Sequence, residues 1–129
     1  MIFSQENVRP LGVELENYEY PYPVEYMQLD VQGKELKMAY MDVHPDHPNG
    51  KSIMLMHGKN FTGAYWAQTA EDLSKAGFRV IIPDQIGFGK SSKPVDIQYS
   101  FQMLAQSTKA ILDSLGVEKT SVLGHSMGG

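Results

Sequence analysis

Three short apolar runs, Ser52 to Met56, Phe78 to Ile82 and Thr120 to Leu123, alternate with two stretches of helical periodicity. That alternation restricts the fold more than any other feature of the chain. A continuous apolar run of this length suits a strand covered on both faces, as in a parallel sheet. The first intervening stretch, from about Gly63 to Ala76, carries Trp66, Ala70 and Leu73 near helical spacing and stops at Gly77. The second begins behind Ser100, a residue type suited to an N-cap, and runs to Leu115 before Gly116. Phe101, Leu104, Thr108, Ile111, Leu112 and Leu115 form its expected buried stripe. Upstream, Tyr26 to Val31 and Leu36 to Val43 flank Gln32-Gly33-Lys34 and read as a β-hairpin. The whole order predicts an α/β fold: a mostly parallel sheet begun by an antiparallel hairpin, with helices on both faces and right-handed crossovers. Residues 1–25 are polar and proline-bearing, with Tyr18-Glu19-Tyr20-Pro21-Tyr22-Pro23, and read as an extended arm packed on the surface by its tyrosines. Residues 26–129 form the folded unit.

Composition removes several function classes. The 129 residues, 42% of them hydrophobic, suffice for one ordinary domain and not for two. A net charge of -4 with a pI near 5.5 supplies no basic stripe to neutralise phosphates, so nucleic acid is not an expected partner. Without cysteine there is no disulfide, thiolate metal site or cysteine nucleophile. No apolar run reaches the length of a membrane span, and Met1-Ile2-Phe3-Ser4-Gln5 lacks the basic start and apolar core of an export signal. As written the chain is expected to be soluble and cytoplasmic; were Met1 an internal start, an upstream signal would direct it to the periplasm or outside the cell.

Chemistry concentrates at the carboxyl end. Ser121-Val122-Leu123 leads into Gly124-His125-Ser126-Met127-Gly128-Gly129, which contains Gly-x-Ser-x-Gly. A strand that turns abruptly into a helix lifts one serine hydroxyl clear of the sheet edge, and glycines two residues before and after remove the Cβ atoms that would clash. The serine is expected in a sparsely populated backbone conformation. Ser126 is therefore the candidate nucleophile. Acyl transfer also needs backbone N–H donors aimed at the developing oxyanion. Met127, next after the serine, supplies one; Lys59, in His57-Gly58-Lys59-Asn60 after the first apolar run, supplies the other. His57 is read as a residue that fixes this loop and not as a proton carrier, and the Lys59 and Asn60 side chains as solvated.

Two other patterns fail on inspection. Gly89-Lys90-Ser91 ends like a P-loop, but Asp84 stands where the required glycine belongs and Pro94 follows too soon for a helix. With only Gly87 and Gly89 present, a dinucleotide fingerprint is absent too. His44-Pro45-Asp46-His47 has prolines that forbid the helical alignment of metal ligands, so no metal or other cofactor is expected.

Together, His57-Gly58 and the residues after it, Asp84 to Ser92, and the turn at Ser126 resemble the α/β-hydrolase superfamily in its serine-nucleophile branch, over roughly Tyr26 to Gly129. The resemblance implies hydrolysis of a small ester, thioester, lactone or amide through an acyl-enzyme. A serine at this position argues against the similar dehalogenase and epoxide-hydrolase branches, which use aspartate. Lys59 departs from the apolar or aromatic residue common there; a backbone donor survives any side chain, so the departure bears on the pocket alone.

In this superfamily the partners follow in the order serine, acid, histidine. Asp84, Asp96 and Asp113 precede Ser126, as do His57 and His125, and adjacent side chains at a strand end diverge, which denies His125 a bond to Ser126. The acid and base are thus expected downstream, relatives being roughly twice this length or more. The rival reading is an inactive fragment or a non-catalytic binding module. The substrate and the oligomeric state are not legible. Phe61, Tyr65 and Trp66 could line one wall of a site, although core packing is their expected role.

The last strand should form an uncovered edge, a template for aggregation. The isolated 129-residue polypeptide is therefore expected to be poorly soluble or partly molten; a cooperative thermal transition with dispersed amide resonances in the monomer would refute this.

Overall fold

The computed structural model describes residues 10–129. The reading of the first residues as signal-free, and the first part of the arm, fall on residues outside that span. Five strands form one mixed sheet: β1 (Val24–Val31), β2 (Lys34–Val43), β3 (Ser52–Met56), β4 (Arg79–Pro83) and β5 (Ser121–Gly124). Their order across the sheet is β1-β2-β4-β3-β5. The hairpin pairs β1 with β2 antiparallel, β2 meets β4 antiparallel, and β4, β3 and β5 run parallel. The hairpin closes through two residues, Gln32 at φ 52° and Gly33 at φ 77°. Positive φ at both central positions gives a turn whose twist matches that of the strands it joins.

Period-two alternation sends the side chains of each central strand to two cores. Leu36, Met38, Tyr40, Met54 and Ile81 lie in one, with Met103 and Ile111 of helix α2 (Phe101–Ser114). Met41, Val43, Leu55, Val80 and Ile82 lie in the other, with Ala70 of helix α1 (Ala67–Lys75). The helices therefore cover opposite faces, as the sequence predicts. A 3-10 turn, Gly63–Trp66, precedes α1 and is capped by the Thr62 side chain, which accepts from Ala64 N–H. Ser100 caps α2 by accepting from Met103 N–H at 3.1 Å.

Two expectations about burial need correcting. On α2 the buried positions are Met103, Ser107, Thr108 and Ile111, while Phe101 is 71% exposed. The inward face is rotated toward the i, i+4, i+8 row that starts at Met103, and Ser107 fits there because its hydroxyl donates back to Met103 O at 2.9 Å. The run at β5, read as a buried strand by its apolar residues and as an uncovered edge by its place, is exposed along its length; among the described residues it pairs with β3 alone, as the edge reading expects.

The segment between β4 and α2 extends the sheet without being a strand. Ser91 Oγ accepts from Ala39 N–H at 2.8 Å, Ser92 Oγ accepts from Lys37 N–H at 3.0 Å, and Ser92 N–H donates to Lys37 O at 2.9 Å. The stretch of β2 that lies beyond its pairing with β4 is satisfied in this way.

Asp84, at the end of β4, is buried and joins three segments. Its Oδ1 accepts from Gly63 N–H at 2.7 Å; its Oδ2 accepts from Lys90 N–H at 2.8 Å and from the Tyr20 hydroxyl. Burial, reinforced by this carboxylate, raises the Tyr20 phenol pKa well above its ordinary value. Asp84→Ala would leave the buried Gly63 and Lys90 N–H groups without an acceptor, each costing about 1–3 kcal/mol, and release the half-buried Tyr20 hydroxyl. Its expected destabilisation in chemical denaturation is therefore at least about 2 kcal/mol, with Asp84→Asn intermediate. A variant as stable as the parent would contradict this role for the carboxylate.

Candidate active site

The chain turns back at β3. From β3 it passes through α1 to β4 on one side, then returns through α2 to β5 on the other. In open α/β sheets the crevice at the carboxyl ends of strands flanking such a reversal is the usual ligand position. Here the segments that meet there are the turn after β3, residues 57–62, and the turn after β5, residues 125–128.

Ser126 sits at the second turn with φ 56°, in the left-handed region that a residue with a Cβ rarely enters. It is exposed and opens a short 3-10 turn, Ser126–Gly128. The flanking glycines are there for steric reasons. A Cβ on Gly124 would fall on Gly128 O, and one on Gly128 would fall on Met56 O. Gly129 is under less constraint, since its Cβ would meet only Ser126 O, at 3.3 Å.

The first turn presses against the second. A Cβ on Gly58 would lie 3.2 Å from His125 Nδ1, from His125 O and from Ser126 Cβ. Phe61 N–H donates to Gly58 O at 3.2 Å and Asn60 takes φ 64°, so residues 58–61 form a tight turn with Lys59 at its exposed crest. Gly58 N–H donates to the Tyr65 oxygen, and Gly128 and Gly129 N–H groups donate to His125 O and Ser126 O. Among the described residues, the N–H groups of Lys59 and Met127 have no such acceptor. Both predicted donors thus lie in the two turns that abut Ser126.

His57 is fully buried. Its Nε2 accepts from Gln85 N–H at 2.9 Å, which leaves Nδ1 to carry the proton and donate to Gly58 O at 2.8 Å. Burial lowers its pKa from the ordinary value, although the Gly58 carbonyl and the Asp84 charge act the other way. Both ring nitrogens are occupied by backbone, and the imidazole acts as a fastener between the β3 turn and the end of β4. His125 is engaged elsewhere: its Nδ1 lies 2.9 Å from the Tyr65 hydroxyl. Asp96 pairs with Lys34 and Asp113 with Lys109, away from the site. His44 is exposed and within 3.3 Å of Asp42, whose carboxylate is gripped by Arg79; among the described residues no three potential metal ligands converge. In the loop after β4, the Lys90 amine donates to Leu15 O and lies over the Tyr20 ring.

The aromatic residues after Gly58 depart from expectation. Phe61 and Tyr65 are 51% and 42% exposed and stack with ring centroids 5.3 Å apart, and both rings face His125. Trp66 alone packs against the core around α1. No sequence spacing marks the Tyr65–His125 pair, which joins residues sixty positions apart. On the other side of Met127 a concavity of about 580 Å³ is lined by Phe88, Tyr99, Phe101 and Leu104 among others.

Comparison with known proteins bears on the family and the fold. A family model described as the alpha/beta hydrolase fold matches residues 51–129. A 2-hydroxy-6-oxononadienedioate/2-hydroxy-6-oxononatrienedioate hydrolase from Paraburkholderia phymatum is 32% identical over 107 residues, 81% of this chain and 36% of that protein. Among solved structures, a probable hydrolytic enzyme from Pseudomonas aeruginosa superposes with a TM-score of 0.89 at 55% identity, over 91% of this chain and 38% of its own. An epoxide hydrolase from Vigna radiata gives a TM-score of 0.66 at 27% identity, over 81% of this chain and 32% of that one. The chain spans about a third of the length of each of these relatives. Among the described residues no helix is long and apolar enough to cross a membrane.

The buried neutral His57 makes stability depend on pH. Its folded pKa is depressed, so the unfolded chain takes up a proton first as pH falls, and stability that is complete above about pH 6.5 declines as the pH drops toward the folded value. The midpoint of thermal unfolding should fall between pH 7 and pH 5. His57→Asn should unfold more readily at pH 8, by about 1–3 kcal/mol, and show a flatter dependence over that window. An unchanged slope in the variant would count against the assignment.

Proposed function

The chain belongs to the alpha/beta hydrolase fold family, and from that premise we propose that it carries the nucleophile and oxyanion hole of a serine hydrolase acting on a small ester, thioester, lactone or amide. Residues 26–129 would supply this part of the hydrolase domain and residues 1–25 its arm. The observation that carries the reading is the backbone of Ser126: a non-glycine residue at φ 56°, exposed, at the carboxyl edge of β5 and against the turn after β3. Strain of that kind persists where surrounding structure enforces it, and here Gly124 and Gly128 allow the approach that does so.

In the proposed reaction Ser126 Oγ attacks the acyl carbon while a general base takes its proton. The carbonyl oxygen becomes an oxyanion between the N–H groups of Met127 and Lys59, the proton passes to the leaving group, and an acyl-enzyme remains for water to cleave. The base is not found among the histidines near the site. His57 is held by backbone at both nitrogens, and His125 is turned to Tyr65. Asp84 is committed to Gly63, Lys90 and Tyr20. The acid and histidine of the triad are accordingly assigned to the part of the relatives' length that this chain does not span. If the rival reading holds, and the chain belongs to a non-catalytic module, Ser126 has no activated hydroxyl.

A fluorophosphonate probe separates the two. In the full-length protein it should label Ser126, Ser126→Ala should abolish labelling, and esterase turnover should fall by at least about a thousandfold. Absence of labelling in the folded parent, or labelling that survives Ser126→Ala, would refute the assignment.

A further inference from the structure

The reading of Ser126 leaves open what holds the two turns in register, and the contacts of one phenol answer it. We propose that Tyr65 is a positioning residue: its hydroxyl joins the turn that carries Lys59 to the turn that carries Ser126 and so sets the width of the oxyanion hole. This rests on Ser126 being the nucleophile.

Tyr65 belongs to the 3-10 turn before α1, and its ring reaches back over the carboxyl end of β3. The oxygen accepts from Gly58 N–H at 3.2 Å. Because the oxygen is used as an acceptor there, its own proton is available to His125 Nδ1, 2.9 Å away. Gly58 immediately precedes Lys59, and His125 immediately precedes Ser126. One side chain therefore holds the residue before the oxyanion donor and the residue before the nucleophile. Steric contact alone would not maintain the separation, since Gly58 presents no side chain toward His125 and Ser126. Phe61 and Tyr65 stack and face the His125 ring, which restricts the imidazole to the orientation that meets the phenol. The bond also occupies Gly58 N–H, so the free backbone donors of this turn are those of Lys59 and Asn60, of which Lys59 N–H is the one assigned to the oxyanion. Oxyanion stabilisation depends steeply on donor placement, so a small widening between the turns should reduce the chemical step without weakening substrate binding.

The test compares the full-length parent with Tyr65→Phe, Tyr65→Leu, His125→Ala and the Tyr65→Phe/His125→Ala double variant. Fluorophosphonate labelling rate, kcat and KM for an activated ester, and thermal midpoint are measured for each. Tyr65→Phe keeps the ring and loses only the hydroxyl. It should lower kcat and the labelling rate about ten- to hundredfold, leave KM within about twofold, and leave the melting midpoint nearly unchanged. Tyr65→Leu should be little worse than Tyr65→Phe, and the Phe substitution should cost much less in the His125→Ala background. Parental kcat in Tyr65→Phe would overturn the proposal, as would a loss seen only in KM or only in melting, or full additivity of the two changes. If the parent itself does not label while remaining folded, the nucleophile assignment has failed, a result distinguishable from failure of the Tyr65 role.

Discussion

A carboxylate removed from water is tolerable only when its lone pairs are satisfied, and the sheet end of this protein is organised around one that is. Asp84 collects the first helical turn after β3, the loop after β4 and Tyr20 of the preceding arm. Its neighbour Gln85 gives its N–H to His57. The loop from residue 57 to residue 63 is thereby fastened at both ends to two consecutive residues of the adjacent strand end. The crest between those fastenings holds Lys59. In the proposed reaction this loop would contribute a backbone donor and would have to keep its shape without help from the substrate; that shape is imposed from β4.

The Ser126 side is governed by exclusion. Three backbone segments, at Met56, Gly124 and Gly128, pass so closely that side chains cannot be interposed. The resulting turn drives Ser126 into the left-handed region and brings its hydroxyl to the sheet edge. Hydrogen bonds hold one half of the site and steric exclusion shapes the other. The Tyr65 hydroxyl lies where the halves meet.

Much of the architecture was readable from the chain because its determinants are local. The apolar runs at β3 and β4, the Ser100 cap and the hairpin turn each act within a few residues, and each appears where the sequence puts it, except that the turn closes through Gln32 and Gly33 alone and Lys34 already belongs to β2. The turn at Ser126 was legible for the same reason, since glycine spacing is a short-range steric requirement. Misreadings arose where the decisive partner is distant. Phe101 looked like the start of a buried stripe, but the β-sheet receives Met103 and Ser107 and turns Phe101 outward. Phe61 and Tyr65 looked like core aromatics; the tight turn at Gly58 aims them instead at His125, some sixty residues along the chain. In the sequence Asp84 is the residue that spoils a phosphate loop, while its structural role depends on Tyr20, Gly63 and Lys90 and carries no periodic signature.

The two serines that follow Lys90 have an effect on how this surface can vary. By taking the place of a strand beside Lys37 and Ala39, Ser91 and Ser92 set a fixed chain length between the end of β4 and that point. One inserted residue would carry a hydroxyl past the amide it serves and leave an internal donor unanswered, so extra length is poorly accommodated between 85 and 92. The exposed turn at 44–48 carries no comparable obligation, and elaborations of this scaffold or grafted segments belong there.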